Sequence, residues 1–265
     1  MSKDECDIYL DELKSKFDKS RFTVIKGRFG SPGAARNAGL AQVLAQWVAF
    51  WDSDDVPNPK QFLEMILQGQ RSGAKICIGS YEMNLVNSER EVKHRVASRP
   101  LNVAFSPGIW RMAFNSHLLH GIKFSKSLWG EDQRLLFEID YLKNSIFYYK
   151  ESVYTYCLGF NDQLTRSKQN SSYLGKEINY GLNIIADKLA VREILLYSLM
   201  ITRMMGTLAK HGTLREIGPT LAAFIEFYFK SPKRLVFGFI PSLTLILTLI
   251  PTQTFGRKIR VLCAN

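Results

Sequence analysis

The chain has 265 residues, of which 46% are hydrophobic and 22% are charged. This balance is typical of a globular protein with a sizeable core, and it excludes a wholly disordered, collagen-like or coiled-coil chain. The 35 basic and 24 acidic residues leave a net charge of +11. Such an excess indicates an anionic partner, which could be a nucleotide phosphate, a nucleic acid or an acidic membrane.

The four cysteines indicate no covalent or metal framework. Cys6, Cys77, Cys157 and Cys263 are far apart and form no C-x-x-C pair, so reduced thiols are favoured over disulfides or a zinc site. The N-terminal residues are charged and amphipathic, with no apolar stretch. The sequence therefore predicts no signal peptide.

The first part of the chain alternates between predicted strands and helices, which is typical of an α/β fold. In chain order we predict a helix at 8–17, a strand at 22–25, a loop at 27–33, a helix at 34–45, a strand at 47–51, a helix at 60–72, a strand at 75–80 extended by 81–85, a polar loop at 88–100, helices at 110–119 and 131–144, strands at 146–149 and 153–157, and a mobile polar segment at 161–173.

The texture of the sequence changes after residue 175. Long apolar helices are predicted at 184–205 and 214–229, and residues 235–250 carry no charge. We therefore predict two regions, a catalytic domain at 1–175 and a helical basic and apolar region at 176–265.

Three carboxylates follow the predicted strand at 47–51, namely Asp52, Asp54 and Asp55. Carboxylates this close repel one another, and a loop at a strand end can relieve the repulsion by binding a divalent cation through oxygen ligands. The alternative is the N-terminus of the next helix, where acidic residues are also favoured. Spacing alone leaves both interpretations open.

Three segments together point to a family. They are GSPGAARNAGL at 30–40, WVAFWDSDD at 47–55 and FSKSLWGED at 124–132. In order and spacing they resemble the inverting GT-A glycosyltransferases of family 2, which carry a G-x-x-x-A-R-N-x-G helix start, an apolar strand with a D-x-D-D motif, and a G-E-D segment. The resemblance covers roughly residues 4–168. It implies a GT-A mixed α/β sheet flanked by helices.

The resemblance also implies a reaction. A sugar would move from a nucleotide-diphosphate donor to a hydroxyl acceptor with inversion, assisted by Mn²⁺ or Mg²⁺. It implies that Asp132 is the catalytic base and that Glu131 orients the acceptor or supports the loop. By the same analogy Asp54 and Asp55 bind the metal. Asp54 would also lie near the ribose, and Asp52 would contact the nucleoside or close the turn.

Three further residues are candidates for ligand contacts. Arg36 and Asn37 open a helix whose N-terminus can face the nucleotide, and Arg36 suits a base or a phosphate. The alternative for both residues is helix capping, and a helix start is likewise the alternative for Glu131 and Asp132. Trp129 is predicted to line an acceptor groove, with core packing as its alternative.

The beginning of the chain departs from the family pattern. Family members begin with a strand, a helix and a second strand that ends in acidic residues, whereas residues 4–17 resemble the stretch after that second strand. We therefore expect an N-terminally incomplete domain, through a misassigned start, a fragment or a lost donor site. The alternative function is accordingly a non-catalytic glycosyltransferase remnant that binds a membrane or a partner.

The basic excess is concentrated near the C-terminus. Residues 201–265 hold nine Lys and Arg against two Glu, and the 22 residues from 235 to 256 are uncharged. As one helix those 22 residues would reach about 33 Å, enough for a bilayer core of about 30 Å. Pro241 and Pro251 favour instead a broken helix in the membrane interface, beside basic residues that suit anionic lipids. A buried helical hairpin is the alternative.

These features predict a protein at the inner face of the cell membrane, in the cytoplasm. Its expected partners are a nucleotide-diphosphate sugar, a glycan or lipid-linked acceptor and the membrane surface, in the synthesis of surface polysaccharide or glycolipid. We expect no nucleic acid partner, because the sequence has no recognisable basic helix or aromatic and basic ladder.

Overall fold

The computed structural model describes residues 22–85, 94–159 and 171–244, together with residues 8, 10–12, 15 and 16. Several predictions therefore lie wholly or partly outside the described residues. They are four of the ten residues of the helix at 8–17, residues 88–93 of the polar loop at 88–100, residues 161–170 of the polar segment at 161–173, and residues 245–256 of the apolar stretch at 235–256.

A six-stranded mixed sheet forms the centre of the described structure. Its strands are β1 Trp47–Ala49, β2 Val56–Pro57, β3 Ile76–Leu85, β4 His94–Val96, β5 Met112–Asn115 and β6 Ile146–Leu158. The order is β1-β5-β3-β6-β2, and β4 pairs with β3. The long central pair β3 and β6 is parallel and all other pairs are antiparallel.

Helices cover both faces of this sheet. They are α1 Pro32–Leu40, α2 Pro59–Arg71, α3 Pro100–Phe105, α4 Glu131–Glu138, α5 Ser171–Ala186, α6 Val191–His211, α7 Leu214–Phe229 and α8 Pro232–Arg234. Local sequence explains several starts. Ser31 and Asn58 cap α1 and α2 ahead of a proline, and Thr213 and Glu216 form a capping box on α7, as expected for these residue types.

The alternation of β3 side chains divides the core into two parts. Ile76 and Ile78 belong to the larger cluster, which includes side chains of α4, α5, α6 and α7. Cys77 belongs to the smaller cluster, together with Phe62 and Met65 of α2. The helices after residue 175 thus pack on one sheet face and α2 packs on the other.

The predicted boundary near residue 175 falls inside α5. Leu174, Ile178 and Leu182 of this helix lie in the same buried cluster as Leu135 and Phe137 of α4. The two predicted regions therefore share one core. Among the described helices, none is long and apolar enough to cross a membrane.

Some predicted elements differ from the structure. The predicted helix at 110–119 is wrong, because Met112–Asn115 is strand β5 between two short 3₁₀ turns. Hydrogen bonding to β1 on one edge and β3 on the other decides this segment, since tertiary pairing overrides local pattern. The predicted strand at 22–25 has no regular structure. The two strands predicted at 146–149 and 153–157 are one strand, β6.

Candidate active site

The acidic motif lies between β1 and β2, where the chain turns at the end of the buried strand. Asp52 to Asp55 form this turn, in which the backbone N–H of Asp55 lies 3.4 Å from the carbonyl oxygen of Asp52. The Asp52 backbone N–H also donates to the Tyr154 hydroxyl at 3.1 Å. The turn is therefore held against β6 from its first residue.

Arg36 of α1 gathers three of the predicted carboxylates. Its Nη2 donates to Asp52 Oδ1 at 2.8 Å, and its Nη1 donates to Glu131 Oε1 at 3.0 Å and to Asp132 Oδ1 at 2.9 Å. The Arg36 side chain is only 12% exposed. One guanidinium thus joins the acidic motif to the start of α4, and Arg36 lies 95 residues before Glu131 in the sequence.

Glu131 and Asp132 begin α4 directly after Gly130, whose φ of 89° makes the turn into the helix. Asp132 Oδ2 accepts a hydrogen bond from the backbone N–H of Ile109 at 3.2 Å. Burial raises the pKa of both carboxyl groups, repulsion from neighbouring carboxylates raises it further, and Arg36 opposes the rise. A carboxylate with a raised pKa is a better proton acceptor near neutral pH.

A cavity of about 950 Å³ opens beside these residues. Six of the eight predicted site residues line it: Arg36, Asp52, Asp54, Trp129, Glu131 and Asp132. Its opposite boundary includes one face of α6. The site therefore brings together residues from α1, the β1–β2 turn, α4 and the helices after residue 175.

Asn37 and Asp55 are not among the lining residues. The Asn37 amide donates to the carbonyl of Phe124 at 3.0 Å and accepts from its backbone N–H at 2.7 Å. Asp55 Oδ1 accepts from the backbone N–H of Cys157 at 2.7 Å. Both side chains therefore use polar atoms to hold the site's framework, and their predicted ligand contacts stay predictions. Burial raises the pKa of Asp55 to about 6.

The carboxylates of the site suit a divalent cation only if a bound substrate supplies further oxygen atoms to coordinate it. Among the described residues, no group of three His, Cys, Asp or Glu side chains is arranged to hold a metal ion. Asp52 and Asp54 line the cavity, and carboxylate oxygens are the ligands that Mg²⁺ prefers. Because Mg²⁺ often uses one or two protein carboxylates plus substrate phosphates, Asp54 with Asp52 fits such an ion.

Aromatic side chains form much of the remaining wall. Trp110 stacks on Tyr156 with 5.1 Å between ring centres and on Tyr154 with 4.7 Å. Trp129 is 7% exposed and packs edge-to-face on His211. Trp129 therefore packs in the core and also borders the cavity. Its contact with an acceptor stays a prediction.

Sequence reasoning missed two residues from the later helices. Arg203 of α6 lines the cavity. The sequence offered a sign of this role, because Arg203 is the one charged residue in the apolar stretch 195–208. Glu177 of α5 is 2% exposed and accepts hydrogen bonds from Ser125 and Ser127. No local pattern indicated that role, which depends on packing between distant segments.

Comparison with known proteins gives partial matches. The model of the glycosyl transferase family 2 matches residues 1–126. The succinoglycan biosynthesis protein ExoO of Rhizobium meliloti (strain 1021) is 36% identical over 52 residues, which are 20% of this chain and 15% of ExoO. The poly(ribitol-phosphate) beta-N-acetylglucosaminyltransferase TarP of Staphylococcus aureus (strain N315) is 29% identical over 164 residues, 58% of this chain and 49% of TarP. The chain thus spans less than half the length of these curated relatives.

Solved structures show the same fold over nearly the whole chain. The crystal structure of S. aureus TarS 1–349 matches with a TM-score of 0.62 and 17% identity, over 97% of this chain and 80% of that one. The same protein in complex with UDP-GlcNAc also matches with a TM-score of 0.62 and 17% identity, over 96% and 80% of the two chains. At this identity the likeness establishes the fold.

Proposed function

We propose that the chain, whose residues 1–126 match glycosyl transferase family 2, moves a sugar from a nucleotide-diphosphate donor to a hydroxyl acceptor with inversion. The observation that carries this proposal is the cluster of three carboxylate side chains around Arg36. It joins the acidic turn to Glu131 and Asp132 at one cavity.

The proposed reaction is a single displacement. The acceptor oxygen forms a bond to the anomeric carbon, and the bond from that carbon to the diphosphate oxygen breaks with its electron pair. Asp132 takes the proton of the acceptor hydroxyl, for which its raised pKa suits it. Arg36 and the Ile109 N–H hold the Asp132 carboxylate in place, and Glu131 beside it orients the acceptor.

A divalent cation, when bound, would supply charge stabilisation for the leaving diphosphate. Asp54 and Asp52 are the residues that would hold Mn²⁺ or Mg²⁺. Asp55 would support them from behind, because its hydrogen bond to Cys157 fixes the end of the turn on β6. A direct metal bond to Asp55 is the alternative arrangement, which the Asp55→Ala variant distinguishes.

The donor and the pathway are proposed from the relatives. TarS has been crystallised with UDP-GlcNAc and with UDP. The name of ExoO refers to succinoglycan biosynthesis, and the name of TarP refers to transfer of N-acetylglucosamine to poly(ribitol phosphate). We therefore propose a UDP-sugar as the first donor to test. The acceptor would be a glycan or lipid-linked hydroxyl in surface polysaccharide or glycolipid synthesis.

The test measures UDP-GlcNAc binding by calorimetry with Mn²⁺, with Mg²⁺ and with EDTA, and it measures UDP release in the same samples, in which water serves as the acceptor hydroxyl. Asp54→Ala is expected to abolish metal-dependent binding, whereas Asp187→Ala, an exposed carboxylate at the end of α5, is expected to leave it unchanged. Asp55→Ala that binds as wild type would exclude a direct metal bond. Folded protein that binds no nucleotide sugar under any condition would contradict the proposal.

Asp132 provides a separate test of the catalytic step. Asp132→Asn keeps the shape of the side chain but removes the proton acceptor. We expect UDP-GlcNAc to bind unchanged while UDP release falls at least about a hundredfold, the usual scale of general-base catalysis. A variant with wild-type turnover would remove Asp132 from the mechanism.

The second candidate is a non-catalytic chain that binds without transferring. Arg36 favours it in one respect, because its positive charge beside Asp132 opposes the rise in the pKa of that carboxyl and so makes it a weaker proton acceptor. Tight UDP-GlcNAc binding with no UDP release, in wild type as in Asp132→Asn, would support this second candidate over the first.

We also propose that the C-terminal region attaches the protein to the inner face of the cell membrane. Four side chains of α7 form one exposed apolar stripe: Leu214, Leu221, Ile225 and Phe229. Exposed Val236 and Ile240 follow, and Lys230 comes directly after Phe229 in the sequence. Such a pairing of apolar and basic surface suits anionic lipids.

Sedimentation with vesicles tests this attachment. The protein is expected to sediment with vesicles rich in anionic phosphatidylglycerol and to remain in solution with phosphatidylcholine alone. Ile225→Ser with Phe229→Ser is expected to weaken sedimentation, with Leu63→Ser on exposed α2 as the control. Equal sedimentation of wild type and the double variant would contradict the proposed surface.

A further inference from the structure

The cavity has a second charged feature on its α6 wall. Met200, Arg203, Met204 and Thr207 line it, at the spacing that places residues on one helix face. The neighbours Thr202 and Met204 are only 2% and 4% exposed, whereas the Arg203 side chain is exposed. Because Arg203 also lines the cavity, its side chain is accessible from the cavity.

Arg203 has no carboxylate partner in the described part of the chain. The carboxylates of the site are held instead by Arg36, which bonds Asp52, Glu131 and Asp132. The phenols of Tyr81 and Tyr156 lie near Arg203, and Tyr156 is fixed by its stack on Trp110. The guanidinium therefore faces aromatic side chains and open cavity.

Arg111 adds a second positive charge behind this wall. It is fully buried, and its N–H groups donate to the carbonyls of Gly79 at 3.3 Å and Ser106 at 2.7 Å. These carbonyls pair with its two Nη atoms but carry no net charge, and its buried Nε has no hydrogen-bond partner among the described residues. Burial lowers the pKa of Arg111 to about 10. An anion bound at this wall would be attracted both by the exposed Arg203 guanidinium and by the buried positive charge of Arg111 behind it.

We propose that Arg203 forms an anion subsite that binds a phosphate group of a substrate. A guanidinium suits this ligand because its N–H groups can donate to two phosphate oxygens at once. The inference rests on the proposed function, in which this cavity is the substrate cleft. The phosphate has two sources, the diphosphate of the donor or a phosphate carried by an anionic acceptor.

The test compares two phosphate probes on three proteins. The probes are UDP with Mn²⁺, for the donor, and oligomeric glycerol phosphate, for a phosphate-bearing acceptor. The variants are Arg203→Gln, Arg203→Lys and the control Arg215→Gln, which removes an equal charge from the exposed surface of α7. Calorimetry gives the Kd of each pair.

Arg203→Gln is expected to weaken binding of one probe at least about tenfold, Arg203→Lys less, and Arg215→Gln not at all. A loss confined to UDP assigns the subsite to the donor, and a loss confined to the glycerol phosphate oligomer assigns it to the acceptor. Wild-type Kd values for both probes in a folded Arg203→Gln variant would overturn the subsite. If that variant still binds UDP with Mn²⁺, the proposed function survives.

Chemical labelling keeps the test independent of the variants' folding. Phenylglyoxal modifies accessible arginines, and peptide mapping of the wild-type protein reports Arg203 separately. The probe that uses the subsite is expected to protect Arg203 and to leave Arg215 equally labelled. Labelling of Arg203 that neither probe changes would contradict the proposal, and so would wild-type protein that binds neither probe.

Discussion

The Arg36 guanidinium decides whether three carboxylates can share one site. Asp52, Glu131 and Asp132 come from two parts of the chain, and each bonds the same side chain at 2.8 to 3.0 Å. Burial of such charges is costly unless they are paired and hydrogen-bonded. Arg36 thus has a structural role that the sequence interpretation of a base or phosphate contact did not include.

Replacement of Arg36 is therefore expected to affect both stability and binding. Arg36→Gln leaves three carboxylates without their cation, and we expect a loss of about 3 kcal/mol or more in the free energy of unfolding at pH 7. The loss should shrink as the pH falls, because protonated carboxyls no longer repel one another. Urea unfolding at pH 7 and pH 4.5 measures this.

Two comparisons sharpen the Arg36 experiment. Arg36→Lys keeps the charge but cannot hold the three carboxylates with a planar fork, so we expect an intermediate stability. Arg215→Gln should unfold like wild type. If Arg36→Gln is as stable as wild type at pH 7, the carboxylates do not depend on Arg36.

At the scale of elements, α5 supports the segment that leads into α4. Glu177 accepts hydrogen bonds from the hydroxyls of Ser125 and Ser127, and its other oxygen pairs with Arg134 at 3.5 Å. A side chain at Gly130 would meet Glu177 Cβ at 3.1 Å. The buried carboxylate therefore fixes the turn that presents Glu131 and Asp132.

We expect Glu177 to act as a positioning residue. Glu177→Gln keeps the size of the side chain and weakens its charge-assisted hydrogen bonds, so UDP release should slow about tenfold while the Kd for UDP-GlcNAc stays unchanged. Asp187→Asn, at the exposed residue directly after the same helix, is the control. A proportional loss of binding and turnover would indicate general destabilisation instead.

The junction of α4 with α6 depends on Asp140, which has a left-handed φ of 47°. Its carboxylate accepts from Tyr197 at 2.9 Å and pairs with Lys188 and Lys143. Burial alone would raise the pKa of Asp140, but these partners together lower it. The Lys188 side chain is only 7% exposed, so it depends on this counter-charge.

Asp140→Asn isolates that charge, because asparagine also tolerates a left-handed conformation. We expect a loss of about 1–3 kcal/mol in the free energy of unfolding at pH 7. A carboxyl with a lowered pKa stabilises the fold above its unfolded pKa, and the contribution is lost as the pH falls through its folded pKa. The variant should therefore approach wild type near pH 3. A cost that is equal at both pH values would contradict the ion-pair explanation.

At the scale of the whole molecule, the sheet and the helices after residue 175 share one hydrophobic core. Side chains of α5 and α6 complete the buried cluster that begins on β3 and α4, and α6 supplies one wall of the cavity. The predicted boundary near residue 175 therefore separates two regions that differ in sequence pattern but contribute to the same core and the same cavity.

Truncation after residue 175 tests this dependence. The shortened chain would expose Leu135, Phe137 and Ile78, which are at most 1% exposed in the structure. We expect it to lose cooperative thermal unfolding and all UDP-GlcNAc binding, because apolar surface of this extent is not tolerated in water. A cooperative transition from the shortened chain would show that residues 1–175 fold independently.

The sequence by itself determined the elements and the motif residues with strong local signals. Periodicity predicted the strand at β1 and the helices α2 and α7. Motif order singled out six residues that line the cavity, and their catalytic and binding roles stay predictions: Arg36, Asp52, Asp54, Trp129, Glu131 and Asp132. These signals are local, because hydrophobic spacing, caps and a motif with its turn are encoded within short stretches of chain.

Only the tertiary structure decided which side chains meet. It turned residues 112–115 into a strand between two neighbours, directed Asp55 to Cys157 and Asn37 to Phe124, and brought Arg203 and Glu177 to a site about 50 to 150 residues away in sequence. The physical reason is that partners this far apart are chosen by packing and by the pairing of buried charge, which no local pattern records.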